Sequence, residues 1–189
     1  VKAAAKLADP VAYLRKALAE DAFALFCQPI CAIGNPLTYP IAEALVRLRE
    51  EEAALCPPGE FLPVLEHYGL MPELDRWVAR QVLRHLSSGA LPRFSVNLSA
   101  QTLDDVSFPA FISRELSASR VQAERLLFEV DEPDALSQPS RIARFASAVG
   151  ALGCGLIIDG LGRGPDVVEP LKIPHLKYVK VCSSLTRLL

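Results

Sequence analysis

The sequence predicts an α/β fold, a modified barrel of the (β/α)8 kind that is incomplete towards its C-terminal end. Three observations lead there. From Phe94 onward, short apolar runs alternate with helical patterns in the order strand, helix, strand, helix, strand, crossover, strand, the arrangement expected of parallel strands covered by helices. Polar residues stand at the ends of several of these strands, where a barrel of this kind gathers its site at one mouth. Six strands can be read in the 189 residues, whereas a full barrel takes roughly 250 residues.

The elements follow in order. "DPVAYLRKALAEDAF" opens with Asp9 as a cap and Pro10 at the first helical position, then sets Leu14 and Leu18 on one side, which predicts a helix. "FALFCQPICAI" is an apolar strand that Pro29 is expected to break, and "GNP" ends it. "TYPIAEALVRL" is the next apolar piece, and "REEEAALCPPGEF" is a polar linker closing on a Pro-Pro-Gly turn. Two helical segments follow, the second starting at Pro72 and stopping near Gly89, with Trp77 on its core side. "RFSVNLSA", "AERLLFEVDE", "CGLIIDG" and "HLKYVKVCSS" are strands, with helices over "FPAFISRELSASR" and "PSRIARFASAVGALG" between the first three. Residues 1–20 are expected to form an N-terminal helix packing on the barrel, and residues 21–189 the domain itself.

Composition narrows the function classes. With 51% apolar residues the chain can bury one sizeable core. Lys and Arg total 20 against 22 acids, a net charge of -2 without a basic block, which argues against a DNA or RNA polymer as partner. No apolar stretch reaches the roughly 18 residues of a membrane span, and the start lacks the pattern of an export signal. The 5 cysteines are scattered and suit the reducing cytoplasm, which is the expected location. Cys27 and Cys31 share a face if their run is a strand, but no partner with ligand spacing accompanies them, so both are expected to be small buried hydrophobes.

Four polar residues stand at or just beyond the ends of separate apolar runs: Glu43, Asn97, Glu129 and Asp159. Three carboxylates and an amide offer hard oxygen ligands of the kind that Mg²⁺ or Mn²⁺ takes. Lys180, at the end of the following strand, would then orient a water or offset charge on a phosphate. Each residue also has a plainer reading. A single acid at a strand end is commonly a helix cap or solvated, Asn97 with Ser99 can cap the turn in "NLSAQ", and Glu132 and Asp134 are expected to cap the next helix. Arg47, four residues after Glu43, either pairs with it on a helical turn or presents its planar fork to a phosphate. Gln28 either reads a base edge or satisfies a neighbouring backbone group. "GLGRG" lacks the frame of a phosphate loop, and His67, His85 and His175 have no partner spacing.

In order, "FCQPI", "AEALVRL", "PPGEFLPVLEHYGLM", "RWV", "FSVNLSAQTL", "LLFEVDE", "GLIIDGLGRG" and "LKYVKV" resemble the EAL family, phosphodiesterase domains that open the bacterial second messenger cyclic diguanylate (cyclic di-GMP). The resemblance runs from about Leu14 to Val181. It implies an EAL-type barrel in which Glu43, Asn97, Glu129 and Asp159 hold a first metal ion, with Asp159 shared with a second. It further implies that Lys180 helps activate the attacking water and that Gln28, Leu45 and Arg47 lie against the nucleotide. The chain departs from the family where Asp-Asp-Phe-Gly is replaced by Asp159, Gly160, Leu161 and Gly162. Glycine has no side chain to ligate an ion, so the second metal site is expected to be lost while a single Mg²⁺ or Mn²⁺ site persists.

Other departures lie nearby. Arg163 stands for a Thr, Asp131 for the Thr before the second Glu of the fourth strand, Leu48 for a Trp and Cys182 for an Asp, and "PDVVE" replaces a Ser-Ser-Leu loop. A family barrel is expected to continue with the segments that carry its general-base glutamate, a further metal-side glutamate and a late substrate glutamine. The expected function is therefore a degenerate, catalytically impaired signalling domain, a cyclic diguanylate receptor or regulatory module serving other signalling domains or protein partners. A weak metal-dependent phosphodiesterase and a nucleotide-independent interaction module are the alternatives. A homodimer through the surface beside the fifth and sixth strands is the family's mode, which the altered loop sets apart here.

Overall fold

The computed structural model describes residues 9–35, 37–49, 55–89, 92–164 and 167–187. Seven strands form its sheet: β1 (Phe23–Ile30), β2 (Ile41–Arg49), β3 (Leu55–Cys56), β4 (Phe94–Asn97), β5 (Leu126–Asp131), β6 (Gly155–Leu161) and β7 (Leu176–Val181). Around it lie α1 (Pro10–Ala19), α2 (Pro58–His67), α3 (Met71–Ser87), α4 (Ala100–Asp104), α5 (Phe108–Ser119), α6 (Glu132–Ser137), α7 (Pro139–Ala151) and α8 (Ser183–Thr186). The order across the sheet is β1-β2-β4-β5-β6-β7, with β3 also on β2. β1 is antiparallel to β2, and from β2 to β7 the order is parallel. The six strands read in the sequence are present, and the short β3 is an addition. The acidic part of the linker, residues 50–54, and Pro165 and Asp166 of the altered loop lie outside the described residues.

Strand alternation divides the sheet into two faces. Ala42, Ala44, Val96, Phe128, Val130, Leu156 and Ile158 turn outward and join the main core with Leu74, Val78, Phe111, Ile142 and Phe145 of the helices. Residues of the opposite parity turn inward, where Ile41, Leu127 and Ile157 form a separate small apolar cluster with Ile30 against it. Further along, the same inward rows become polar, at Glu43, Asn97, Glu129, Asp131 and Asp159. The period of two in a strand thus places apolar residues at the floor of the cup and the candidate site above them.

The helix signals hold locally. The Asp9 side chain accepts from the Ala12 N–H at 2.9 Å and Pro10 follows it, so one otherwise unpaired donor of α1 is satisfied. Leu14 and Ala17 are buried from that helix. In α3, Leu74, Trp77, Val78, Val82 and Leu83 form one buried stripe, and the Trp77 indole N–H donates to Asp21 Oδ1 at 2.8 Å. Among the described residues no helix is long and apolar enough to cross a membrane.

Three expectations are corrected. Pro29 does not break its strand: it pairs in register with Ala42. β1 ends the strand order, and a missing N–H costs little on an edge. Cys27 and Cys31 are exposed, whereas Cys56, Cys154 and Cys182 are buried; burial along β1 falls off from Phe26, which takes in Cys27, and Cys31 follows the strand. Glu43 and Arg47 lie on β2, not on a helical turn, so their four-residue spacing brings them to one face through the strand period.

Candidate functional site

The inward rows of β2, β4, β5 and β7 converge on one ammonium group. Lys180 Nζ donates to Glu43 Oε2 at 2.6 Å and to Glu129 Oε1. Asn97 Nδ2 donates to the other Glu43 oxygen at 2.8 Å. The Glu129 side chain is fully buried, and burial raises its carboxyl above the ordinary value; the Lys180 ammonium opposes that shift and the Glu43 charge adds to it. Burial works against the charge on Lys180 too, but its bonds to Glu129 and Glu43 outweigh this and raise its pKa. Two carboxylates share one ammonium, and burial disfavours the negative charge most on Glu129, the more buried of the two.

The arrangement can be tested as a cation site. Among the described residues Glu129 Oε2 is buried with no partner at full hydrogen-bond geometry, and the nearby Ser95 hydroxyl only partly offsets its desolvation. Glu43 and Asn97 bring further oxygen donors beside it, so the donor chemistry suits one hard divalent ion. Among the described residues no three His, Cys, Asp or Glu side chains converge as a ready ligand group; Glu43 and Glu129 meet the Lys180 ammonium instead.

Asp159 stands on the next strand, in register with Asp131 rather than Glu129. Between the pairs Ile158–Val179 and Leu161–Val181, two residues, Asp159 and Gly160, face the single Lys180. Such a bulge bends a strand and re-aims its side chains. Gly160 has φ +73°, and a Cβ placed there would stand 2.5 Å from Arg163 Cζ and Nε. The Arg163 guanidinium thus covers the place where a side chain at 160 would begin, and its Nη1 donates to Asp131 Oδ1 at 2.6 Å. Burial raises the Asp131 carboxyl, Arg163 works against that rise, and the Asp159 charge adds to it. Gly160 brings no side-chain ligand, and the Arg163 guanidinium lies where one would stand; that donor set does not suit a second divalent ion.

Glu132 fixes the loop after β6. Its carboxylate accepts the N–H groups of Gly162, Arg163 and Gly164 at 2.9, 2.8 and 2.8 Å. Burial works against its charge, but the three donors hold its pKa below the usual value. This corrects the expectation that Glu132 caps its own helix: the donors it satisfies lie thirty residues later in the chain. Nothing local in the sequence marks that role. Ser99, and not Asn97, caps α4, its hydroxyl accepting from the Thr102 N–H at 3.2 Å. Asp75, buried behind this turn, accepts from Ser99 and Thr102, and burial pushes its carboxyl up to about 6.

The described chain therefore has a parallel sheet with polar strand ends, an ammonium shared by two glutamates and a glutamate-clamped glycine loop. Residues 11–189 match the pattern of the EAL domain family. The chain belongs to the EAL family. The cyclic di-GMP phosphodiesterase PdeF of Escherichia coli K12 is 31% identical over 189 residues, 96% of this chain and 25% of PdeF. The EAL domain of FimX from Pseudomonas aeruginosa, in a structure bound to c-di-GMP, matches with a TM-score of 0.87 at 26% identity, covering 94% of this chain and 72% of that one. The Xanthomonas citri FimX EAL domain, in complex with c-diGMP, gives 0.84 at 25% identity, covering 94% and 70%. The chain thus spans about a quarter of PdeF.

Within this EAL domain, Glu43, Asn97, Glu129 and Lys180 come together through hydrogen bonds, and Asp159 lies on the neighbouring strand as the register partner of Asp131. Gln28 is the cross-strand neighbour of Glu43 and is exposed. Leu45, Arg47 and Asn97 line a largely apolar cavity of about 280 Å³ between β2, α2 and α3, with Met71 and Asp75 opposite. Arg47 does not pair with Glu43; it donates to the Val46 carbonyl at 2.8 Å and lies 6.0 Å from the centre of the Phe26 ring.

Proposed function

We propose that this EAL domain is a cyclic diguanylate receptor, impaired in hydrolysis, that acts on other signalling domains or protein partners. The observation that carries the reading is the contrast between the two halves of the rim: the cluster of Glu43, Asn97, Glu129 and Lys180 is assembled, while at Gly160 a guanidinium covers a residue with no side chain. The FimX domains that resemble the chain were crystallised with c-di-GMP, which supports the same ligand here. The cavity beside Leu45 and Arg47, about 280 Å³, is at the lower end of the roughly 300–1,000 Å³ of small-molecule pockets. That size suits one base of a dinucleotide rather than the whole. Arg47 at its edge has donors suited to a phosphate, and Gln28 beside Glu43 has an amide suited to a base edge.

Glu43, Asn97, Glu129 and Asp159 would hold one Mg²⁺ or Mn²⁺ ion, which when bound would polarise a phosphoryl oxygen. Lys180 keeps a positive charge at the centre of the cup, where it would offset the charge of a phosphodiester. Losing one well-placed electrostatic contact costs about 3–4 kcal/mol of barrier lowering, a factor of a few hundred in rate, and Gly160 removes such a group. Calorimetric titration of the intact protein with cyclic diguanylate, with and without Mg²⁺ or Mn²⁺, should saturate at micromolar concentration or below. Absence of both heat and saturation would remove the receptor reading. A weak phosphodiesterase is the second reading, favoured by the position of Lys180 between two glutamates; it requires metal-dependent formation of the linear dinucleotide, and brisk turnover would replace the first reading.

A further inference from the structure

We propose that Arg163 is a resident cation of the rim: its guanidinium takes the place of a second divalent ion, so the site admits a single metal ion and Arg163 itself holds the phosphodiester. The phosphodiester half rests on the receptor reading above. The geometry is a built one. Cζ and Nε of Arg163 stand 2.5 Å, and Nη2 2.7 Å, from where a Cβ at Gly160 would be. Nη1 is bound to Asp131 Oδ1 at 2.6 Å, and Asp159 is the register partner of Asp131. The Arg163 backbone is fixed, because its own N–H is one of the three that Glu132 accepts.

The charges fit the same account. Asp131 and Asp159 bring two carboxylates to this part of the rim, and a guanidinium offsets one of them without any ion from solution. A divalent ion entering there would meet the like charge of Arg163 and no side-chain ligand from residue 160. About half of the Arg163 side chain is open to solvent. One of its five N–H donors is engaged by Asp131, and a planar fork of this kind matches the oxygens of a phosphodiester. The two unusual residues, Gly160 and Arg163, are thus explained together: the guanidinium needs the space that a side chain at 160 would fill.

Mn²⁺ titration of the intact protein, followed by the electron paramagnetic resonance of the free ion, tests the first half without any nucleotide. Wild type should bind one Mn²⁺, and Arg163→Ala should bind one more at the same free concentration, with Arg163→Lys behaving as wild type. The clamp by Glu132 uses backbone N–H groups and survives the substitution; Arg163→Gln, which keeps most of the side-chain length, serves if the alanine variant does not fold. The second half is read in the presence of chelator: wild type should bind cyclic diguanylate, Arg163→Ala at least tenfold more weakly, and Mn²⁺ should restore the variant. Equal Mn²⁺ stoichiometry in wild type and Arg163→Ala overturns the proposal, as does equal nucleotide affinity of the two in chelator. If the Mn²⁺ count changes as expected but no form binds the nucleotide under any condition, the resident cation stands and the receptor reading falls.

Discussion

Replacing Lys180 by methionine keeps an unbranched stem and removes the charge that holds the centre of the site together. Its Nζ is the partner of Glu43 Oε2 at 2.6 Å and of Glu129 Oε1. Without it, two carboxylates face each other and the buried Glu129 carboxylate loses its cationic partner, while its Oε2 makes no hydrogen bond among the described residues. Removing one member of a buried ion pair costs about 3–5 kcal/mol. Lys180 and Glu43 keep 24% and 20% of their side-chain exposure, so the lower end, about 3 kcal/mol, is expected. At this chain length each kcal/mol moves the melting midpoint by roughly 2–4 °C, so the midpoint should fall by about 6–12 °C at about pH 8.

The pH dependence has a definite sign. The Glu129 carboxyl is already raised by burial, and loss of Lys180 raises it further. An acid whose pKa is higher in the folded than in the unfolded state favours folding while protonated and costs stability as pH rises through that interval. The penalty of Lys180→Met should therefore be small near about pH 4 and complete only above the raised folded value. Adding Glu129→Gln should recover more than half of it. Urea denaturation across this range measures all three chains. A loss that is the same at about pH 4 and about pH 8, or a Lys180→Met chain as stable as wild type at the higher pH, refutes the reasoning.

Three more substitutions probe the same rim and its support. Gly160→Ala should lose about 1–2 kcal/mol for the left-handed backbone conformation and up to about 1 more for the displaced Arg163–Asp131 pair, which is half exposed and screened; in an Arg163→Ala background the second part should vanish, and additivity within about 0.3 kcal/mol in a double-mutant cycle would show that the two residues do not touch. Glu132→Ala should cost about 3 kcal/mol by leaving three N–H groups unpaired, with hydrogen exchange at residues 162–164 rising first; unchanged protection there contradicts the clamp. Asp75, with its carboxyl raised from 3.8 to about 6, should make wild type lose about 3 kcal/mol relative to Asp75→Asn as pH climbs from about 3 to about 7. Parallel stability curves for those two chains would refute that shift.

Much of the fold could be read from the residues because its signals are local. A continuous apolar run such as "RLLFEV" describes a strand buried on both faces, and the Asp9–Pro10 start of α1 needs only its own turn. The period of two also fixes, from the sequence, that Leu127, Glu129 and Asp131 share one face and that Phe128 and Val130 share the other. Pro29 and the exposed Cys27 and Cys31 were not legible, because whether a strand lies at an edge is a property of the sheet and not of the strand. Arg47 was ambiguous for a related reason: a four-residue spacing aligns side chains on a helix and on a strand alike.

The family, the order of strands and helices, the polar residues at the strand ends and the lack of a carboxylate at 160 are all written in the residues themselves. Tertiary structure alone decided who meets whom. Lys180 reaches Glu43 across 137 positions, and Glu132 serves a loop thirty positions away. Arg163 comes to lie over Gly160 because the bulge and the clamp set the path of the loop. Those contacts depend on strand register and on side chains packed from distant segments, and neither is contained in any short stretch of the chain.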